Sequence, residues 1–327
     1  MLMTVIGGKE LGTVLKSYGL NGDWRIERLR SVFVISNGST DLVLKPLRIG
    51  SIKTNLITRF IENNQQCQLL PALVKTADNN NYCWYQGNRY LLTGKIAGRE
   101  ADYLNDADLQ AAIRAMSLFH CETCLNNQVD QGQWSLIKYD PVRSWKQYFN
   151  EMNNCKKRAV KQGDAFSKWY LQEWSFYAAC ACQSIQDYQQ AAKDPELVFC
   201  YHDWAYHNVI IDQCGLGKLI DFDYLIIDRS VHDKSNLIAR YLRLYDWSLQ
   251  AFGKIIDCFD RFYPWHRGEL ELLRIYLSFP YDFWILGRQY YIEKQHWSLK
   301  YYREQWDRKV VNGKKIQRVL RMLEKLV

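Results

Sequence analysis

No run of about 18 uninterrupted apolar residues occurs in this 327-residue chain, so no segment is expected to cross a membrane as a helix. The start, Met1 to Lys9, lacks a basic stretch followed by a long apolar one, so no secretory signal is expected and synthesis is read as cytoplasmic. A second CxxC is missing as well. The lone one, Cys121 to Cys124 after His120, cannot complete a four-ligand zinc site, and Cys180 and Cys182 stand too close for a metal hairpin. Ten cysteines diluted over this length, with no export signal, read as reduced thiols rather than a disulfide framework. Neither a fixed-period repeat nor a low-complexity run is found.

What the chain does contain is apolar and aromatic material: 48% hydrophobic residues, 14% aromatic, with 12 Trp and 22 Tyr. That is enough for a sizeable core and excludes a disordered or fibrous chain. The length suits two domains or one bilobed unit. The aromatics are spread rather than clustered, which favours core and helix packing over a sugar-binding or base-stacking surface. Phe279, Phe283, Trp284, Tyr290 and Tyr291 fall on predicted helices and are assigned to the core.

The formal charge of +8 invites a nucleic-acid reading until it is divided. Nine basic and three acidic residues from Lys300 to Val327 give that segment +6, leaving +2 for the rest. The excess is a property of the tail, which argues against a nucleic-acid partner. In the last helix Ile316, Val319, Leu320 and Leu323 share one face, with Lys315, Arg318, Arg321 and Lys325 off it. Such a helix either binds a membrane surface or acidic partner, or docks with its charged face in solvent; the second arrangement is the commoner.

Glu10 to Tyr18 reads as a short helix. Residues 24–29, 32–35 and 42–46 read as three antiparallel strands, the last two joined at Asn37-Gly38. Ile52, Leu56, Phe60 and Ile61 recur at helical spacing, predicting a helix over about 51–63. Further strands are predicted at 73–76, 82–85 and 90–93. Beyond residue 95 the chain turns helical over 106–124, 141–159 and 166–192, and again from His232 onward. One β-type island interrupts this half, at 198–201, 208–212 and 218–222.

That island carries the chemistry. Tyr201-His202-Asp203-Trp204-Ala205-Tyr206-His207-Asn208 is followed, thirteen residues after Asn208, by Asp221 in Leu219-Ile220-Asp221-Phe222-Asp223. Phosphoryl transfer needs a carboxylate at the attacking hydroxyl, oxygen ligands for magnesium and a cation on the nucleotide phosphates. Asp203 on a loop after a strand suits the first role, and Asn208 and Asp221 at neighbouring ends of a hairpin suit the second. The plainer alternative makes Asp203 and Asn208 turn formers and Asp221 a cap-like residue.

The segment resembles the catalytic and magnesium loops of the protein-kinase-like fold, in its aminoglycoside phosphotransferase and choline kinase branch. The run from His202 to Asp212 is similar, more closely, to CotS-type spore coat proteins. So are Ile220 to Tyr224, Asp228 to Asp233, Leu118-Phe119-His120 and Phe279 to Trp284. The resemblance runs from about Val14 to Trp306. It implies an α+β, bilobed protein-kinase-like fold, with a small β-rich N-lobe over 1–93, a hinge at 94–98 and a larger, mostly helical C-lobe over 99–327.

It also implies an ATP- and Mg2+-dependent phosphotransferase acting on a small-molecule hydroxyl. Asp203 would orient or deprotonate that hydroxyl, Asn208 and Asp221 would hold the metal, and Lys45 would contact the nucleotide phosphates. Leu92 to Ile96 would meet the adenine, Asp233 would brace the loops, and His120 would pack. Spore coat location and other coat proteins as partners are implied too. The sequence departs from the family pattern in several places. Tyr201 stands where the phosphotransferases usually have His, an aromatic that can still anchor the loop by packing, and Gly94 and Lys95 sit where an acidic hinge residue is common. Leu29 to Phe33, where a Gly-rich phosphate turn belongs, has no glycine, and Glu62 is the only acid between Ser51 and Gln66. The alternative is therefore a pseudokinase, a kinase-shaped structural protein of the coat.

Overall fold

The computed structural model describes residues 8–123, 131–191 and 197–326, and packing divides these into two compact units. The first comprises residues 1–137 and 206–225, and the second 138–205 and 226–327. This grouping by contacts follows different lines from the division at residues 93 and 98, because it places the 206–225 hairpin with the N-terminal sheet.

The first unit opens with α1 (Gly8–Ser17), β1 (Arg25–Leu29), β2 (Val32–Ser36), β3 (Asp41–Leu47) and α2 (Ser51–Asn63). It continues through β4 (Leu73–Val74), β5 (Cys83–Tyr85), β6 (Asn88–Gly94), β7 (Arg99–Glu100), α3 (Asp106–Glu122) and the short α4 (Gln131–Trp134). The strands β1-β2-β3-β6-β4 form one antiparallel sheet, with β5 also paired to β6. Alternation along β3 turns Leu42 and Leu44 into a core with Leu11, Val14, Leu15 and Tyr18 of the α1 region, and turns Lys45 to the opposite face. Tyr18 ties this core together: its hydroxyl donates to the Tyr90 carbonyl at 2.5 Å and accepts from the Cys83 N–H at 3.1 Å.

Pro46 lies inside β3, yet pairing with β2 ends at Leu44, so the missing N–H falls where that ladder has stopped. The β1–β2 connection is a two-residue turn, Arg30-Ser31, with Arg30 at φ +54° and paired to Glu100 at 2.8 Å. It is a tight hairpin, not an open glycine loop.

In the second unit β8 (Leu197–Cys200) pairs with β11 (Ile226–Arg229), while in the first β9 (Val209–Ile211) pairs with both β10 (Gly217–Leu219) and β7. The helices α5 (Pro141–Gln162) and α6 (Ala165–Gln190) form an antiparallel pair. After β11 come α7 (Ser230–Leu244), α8 (Leu249–Phe262), α9 (Glu269–Ser278), α10 (Tyr281–Tyr291), α11 (Leu299–Trp306) and α12 (Ile316–Leu323). The aromatics do serve the core. The Tyr170 ring stacks on Phe283 at 4.4 Å, Phe166 on Tyr290 at 4.1 Å and Trp145 on Phe279 at 4.9 Å.

Helix α12 packs on α9 and α8 with Val319, Leu320 and Leu323 buried, so its apolar face is covered within the unit. The commoner arrangement is thus the one observed, a docked helix with Arg318, Arg321 and Lys325 exposed. No described helix is long and apolar enough to cross a membrane. None of the nine described cysteines forms a disulfide; Cys124, the second half of the lone CxxC, lies outside the described residues, as do Met1 to Gly7.

Candidate active site

In the first unit, β9 and β10 bring residues 208 and 221 to neighbouring chain ends: the Ile220 N–H donates to the Asn208 carbonyl at 3.1 Å. Strand β10 ends at Leu219, three residues short of the expected strand, because the chain turns at Asp221, whose φ of +67° lies in the left-handed region that Asp tolerates better than most residues. Phe222 is buried and packs at 6.0 Å from Phe60 of α2 and 6.3 Å from Phe119 of α3. With this ring anchored, the flanking carboxylates of Asp221 and Asp223 converge on one ammonium. Lys45 Nζ lies 2.6 Å from Asp221 Oδ1 and 2.7 Å from Asp223 Oδ1.

Glu62 does not join this group. Its carboxylate pairs with Lys75 at 2.5 Å and accepts from Asn81 at 2.7 Å, and these partners hold it below the usual carboxylate range. The acidic partner of Lys45 thus comes from the hairpin rather than from α2. At this depth α2 instead carries Lys53: burial pulls its ammonium below the ordinary lysine value while the charge of Asp223 pushes the other way.

Asn208, Asp221 and Asp223 carry oxygen donors of the kind magnesium takes. Asn208 is buried, whereas the Asp221 side chain is 40% exposed and open to a ligand. The residues present fit the ion.

The boundary between the units passes between Ala205 and Tyr206, so Asp203 belongs to the second. Its loop is held by α7. Asp233, in the first turn of that helix, accepts the N–H of Tyr201 and of His202, both at 2.8 Å. Two turns further along the same face, Arg240 reaches Asp203 Oδ1 at 2.5 Å. His202 stands at φ +72°, a conformation that costs a non-glycine residue about 1 kcal/mol or more. A buried chain holds it there: His202 Nδ1 to His232 Nε2 at 2.7 Å, and His232 Nδ1 to Asp228 Oδ2 at 2.7 Å. Tyr276 also donates to that Asp228 oxygen, at 2.7 Å. Tyr201 is fully buried against Trp204, so an aromatic does anchor the loop, and His120 is buried as a packing residue would be.

The structure therefore brings Lys45 and Asp221 together, sets the Asn208 backbone beside Ile220, and pairs Asp203 with an arginine. Sequence reasoning missed Asp223, Lys53 and Arg240. Asp223 was within reach, two residues beyond Asp221 in an alternating run; Arg240 left no local signal.

No protein-family model matches the chain. Among curated proteins it is similar to spore coat protein S of Bacillus subtilis (strain 168), 22% identical over 284 residues, covering 82% of this chain and 80% of that one. Among solved structures, an aminoglycoside phosphotransferase from Alicyclobacillus acidocaldarius superposes with a TM-score of 0.79 at 16% identity, covering 100% of this chain and 97% of its own. The chain shares the kinase-like fold of that phosphotransferase. The expected class is thus observed, a small antiparallel sheet region with a larger helical part. A spectinomycin phosphotransferase solved with ADP and spectinomycin is similar at a TM-score of 0.68 and 12% identity, covering 95% of this chain and 98% of its own.

Proposed function

We propose that the chain is an ATP- and Mg2+-dependent phosphotransferase acting on the hydroxyl of a small molecule. Asp203 orients that hydroxyl and takes its proton as the oxygen attacks the terminal phosphorus of the nucleotide and the bond to the departing diphosphate breaks. Asn208 and Asp221, with Asp223, hold the metal. Lys45 contacts the phosphates, and residues 92–96 meet the adenine with their backbone. The bound metal supplies neutralisation of charge on the transferring phosphoryl group.

The observation that carries this reading is the convergence of Lys45, Asp221 and Asp223 within 2.7 Å. A lysine tied to the metal carboxylates is placed where one cation can pass from acid to phosphate. The ADP held by the spectinomycin phosphotransferase gives further support for nucleotide binding.

A second reading rests on a different observation. The closed Arg30-Ser31 turn and the engagement of Glu62 with Lys75 favour a pseudokinase, and the likeness to spore coat protein S supports a structural role in the coat beside other coat proteins.

Thermal denaturation separates the two. Magnesium-ATP at 100 times its Kd stabilises a binding-competent fold by about 2.7 kcal/mol. No shift at millimolar nucleotide refutes the enzyme. If the shift is seen, Asp203→Asn is expected to leave it in place while lowering turnover about 10²- to 10⁴-fold; unchanged turnover removes Asp203 from the base role.

A further inference from the structure

The surroundings of Asp203 within the second unit are basic. Arg240 and Arg243 lie three residues apart on α7 and so share a face. Arg240 holds Asp203, and Arg243 Nε lies 3.1 Å from Asp282 Oδ2, at the start of α10. Lys309 lies on the irregular helical turn Asp307–Val311 after α11, a turn that packs on α10, the helix of Asp282. Burial and the charges of Arg243, Arg308 and Arg240 lower its proton affinity, and Asp282 alone is a nearby opposing charge. Asp282 is already engaged by Arg243, and among the described residues no carboxylate lies within ion-pair distance of Lys309.

Three cations, Arg240, Arg243 and Lys309, thus face two carboxylates, Asp203 and Asp282. An ammonium kept partly out of water without a counter-ion is costly, and the cost is relieved by an anion brought in from outside. The four side chains Asp203, Asp282, Arg240 and Arg243 are each between 22% and 34% exposed, so each is partly in reach of solvent. A cationic acceptor meets net repulsion there, whereas a phosphate or carboxylate meets two guanidinium forks suited to planar, bidentate recognition.

We propose that Arg240, Arg243 and Lys309 form an anion-binding subsite beside Asp203, so that the acceptor carries a phosphate or carboxylate as well as its reacting hydroxyl. This rests on the phosphotransferase reading for the word acceptor, but not for the subsite itself. Arg240 then has two states, paired with Asp203 when the subsite is empty and turned to the anion when it is filled. Filling the subsite frees the Asp203 carboxylate to accept a proton.

The test is calorimetric titration of the full chain at low ionic strength, where such contacts are least screened. The probes are inorganic phosphate, glucose 6-phosphate, glucuronate, glucose and glucosamine. The charged acids are expected to bind, and glucose and glucosamine to bind at least tenfold more weakly. Arg243→Gln and Lys309→Met, each checked for an unchanged far-ultraviolet spectrum, are expected to weaken phosphate at least tenfold. Arg318→Gln, an exposed charge on α12, is expected to leave it unaltered. Equal affinity for glucose and glucose 6-phosphate, or phosphate binding indifferent to both substitutions, overturns the proposal.

Titration with ATP separates the two sources of a phosphate. If both variants weaken ATP by the same factor as inorganic phosphate, the anion is that of the nucleotide and the acceptor assignment falls. Anion binding that depends on Arg243 and Lys309, in a protein that neither binds nor turns over ATP, supports the subsite and refutes phosphotransfer alone.

Discussion

Replacing Lys45 by Met removes the ammonium that bonds both Asp221 and Asp223 while keeping most of the side-chain volume. The Lys45 and Asp223 side chains are 16% and 17% exposed, and Asp221 is 40% exposed. The pair with Asp223 therefore resembles a buried ion pair, whose breaking costs about 3–5 kcal/mol, and the pair with Asp221 a surface one worth about 0–1 kcal/mol. Partial solvation of all three groups puts the expected loss near 2 kcal/mol, a fall in Tm of about 4–8 °C for a unit of this size. The same substitution leaves two carboxylates with one nearby cation, Lys53, in place of two, so added Mg2+ is expected to stabilise the variant more than the parent. At ten times its Kd the ion contributes about 1.4 kcal/mol. Protection by magnesium-ATP is expected to weaken in the same variant, because the phosphates lose their lysine. Differential scanning calorimetry of both proteins, with chloride salts of magnesium and of sodium at matched ionic strength, reads all three effects. A variant that melts with the parent, or that responds to Mg2+ no more than the parent does, refutes the charge argument.

Lys234 and Glu269 are both fully buried and paired at 2.7 Å, with Ser230 and the His266 N–H also on the carboxylate. Lys234→Met is expected to destabilise by about 3–5 kcal/mol in denaturant titrations, and the double change Lys234→Met, Glu269→Leu to recover most of it. Asp108 is nearly buried, meets Arg99 through two bonds at 2.5 and 2.8 Å and accepts the Asp102 N–H at 2.8 Å. Arg99 holds its carboxyl below the ordinary value, so this stabilisation is complete above the unfolded pKa and is lost as pH falls through the lower, folded one. Asp108→Asn is expected to cost about 1–2 kcal/mol at neutral pH, given the exposure of Arg99, and the gap to the parent to close below about pH 4.

The sheet was legible because its strands obey simple rules. Alternation marks β3, Asn37-Gly38 marks the turn before it, and the spacing of Ile52, Leu56, Phe60 and Ile61 sets a helix that runs over Ser51–Asn63 as expected. Two strands escaped. Arg99–Glu100 is two charged residues long, and Ile226–Arg229 ends in a charged pair, so neither shows the alternation that marks a strand. At the candidate site, Asp203, Asn208, Asp221 and Lys45 were named from spacing and resemblance. Asp203 and Arg240 are 37 residues apart, and their meeting is set by how α7 packs on β8 and β11, which no local pattern encodes.

The relocation of the acidic partner of Lys45 has a chemical consequence. With Asp223 in that role and Lys53 nearby on α2, two carboxylates face two ammonium groups, and the cluster is close to neutral before any ligand arrives. A bare divalent ion then gains little, because it must displace or repel the lysine that already satisfies both acids. Magnesium-ATP is different. Its triphosphate offers Lys45 a new partner while the ion takes the carboxylates, so each charge exchanges one counter-ion for another and none is stranded. In the proposed function, metal and nucleotide therefore load together, and the parent protein is expected to respond far more to the pair than to either alone. Losing Lys45 breaks this coupling from one side: the metal gains and the nucleotide loses, which is the pattern an unrelated loss of stability would not produce.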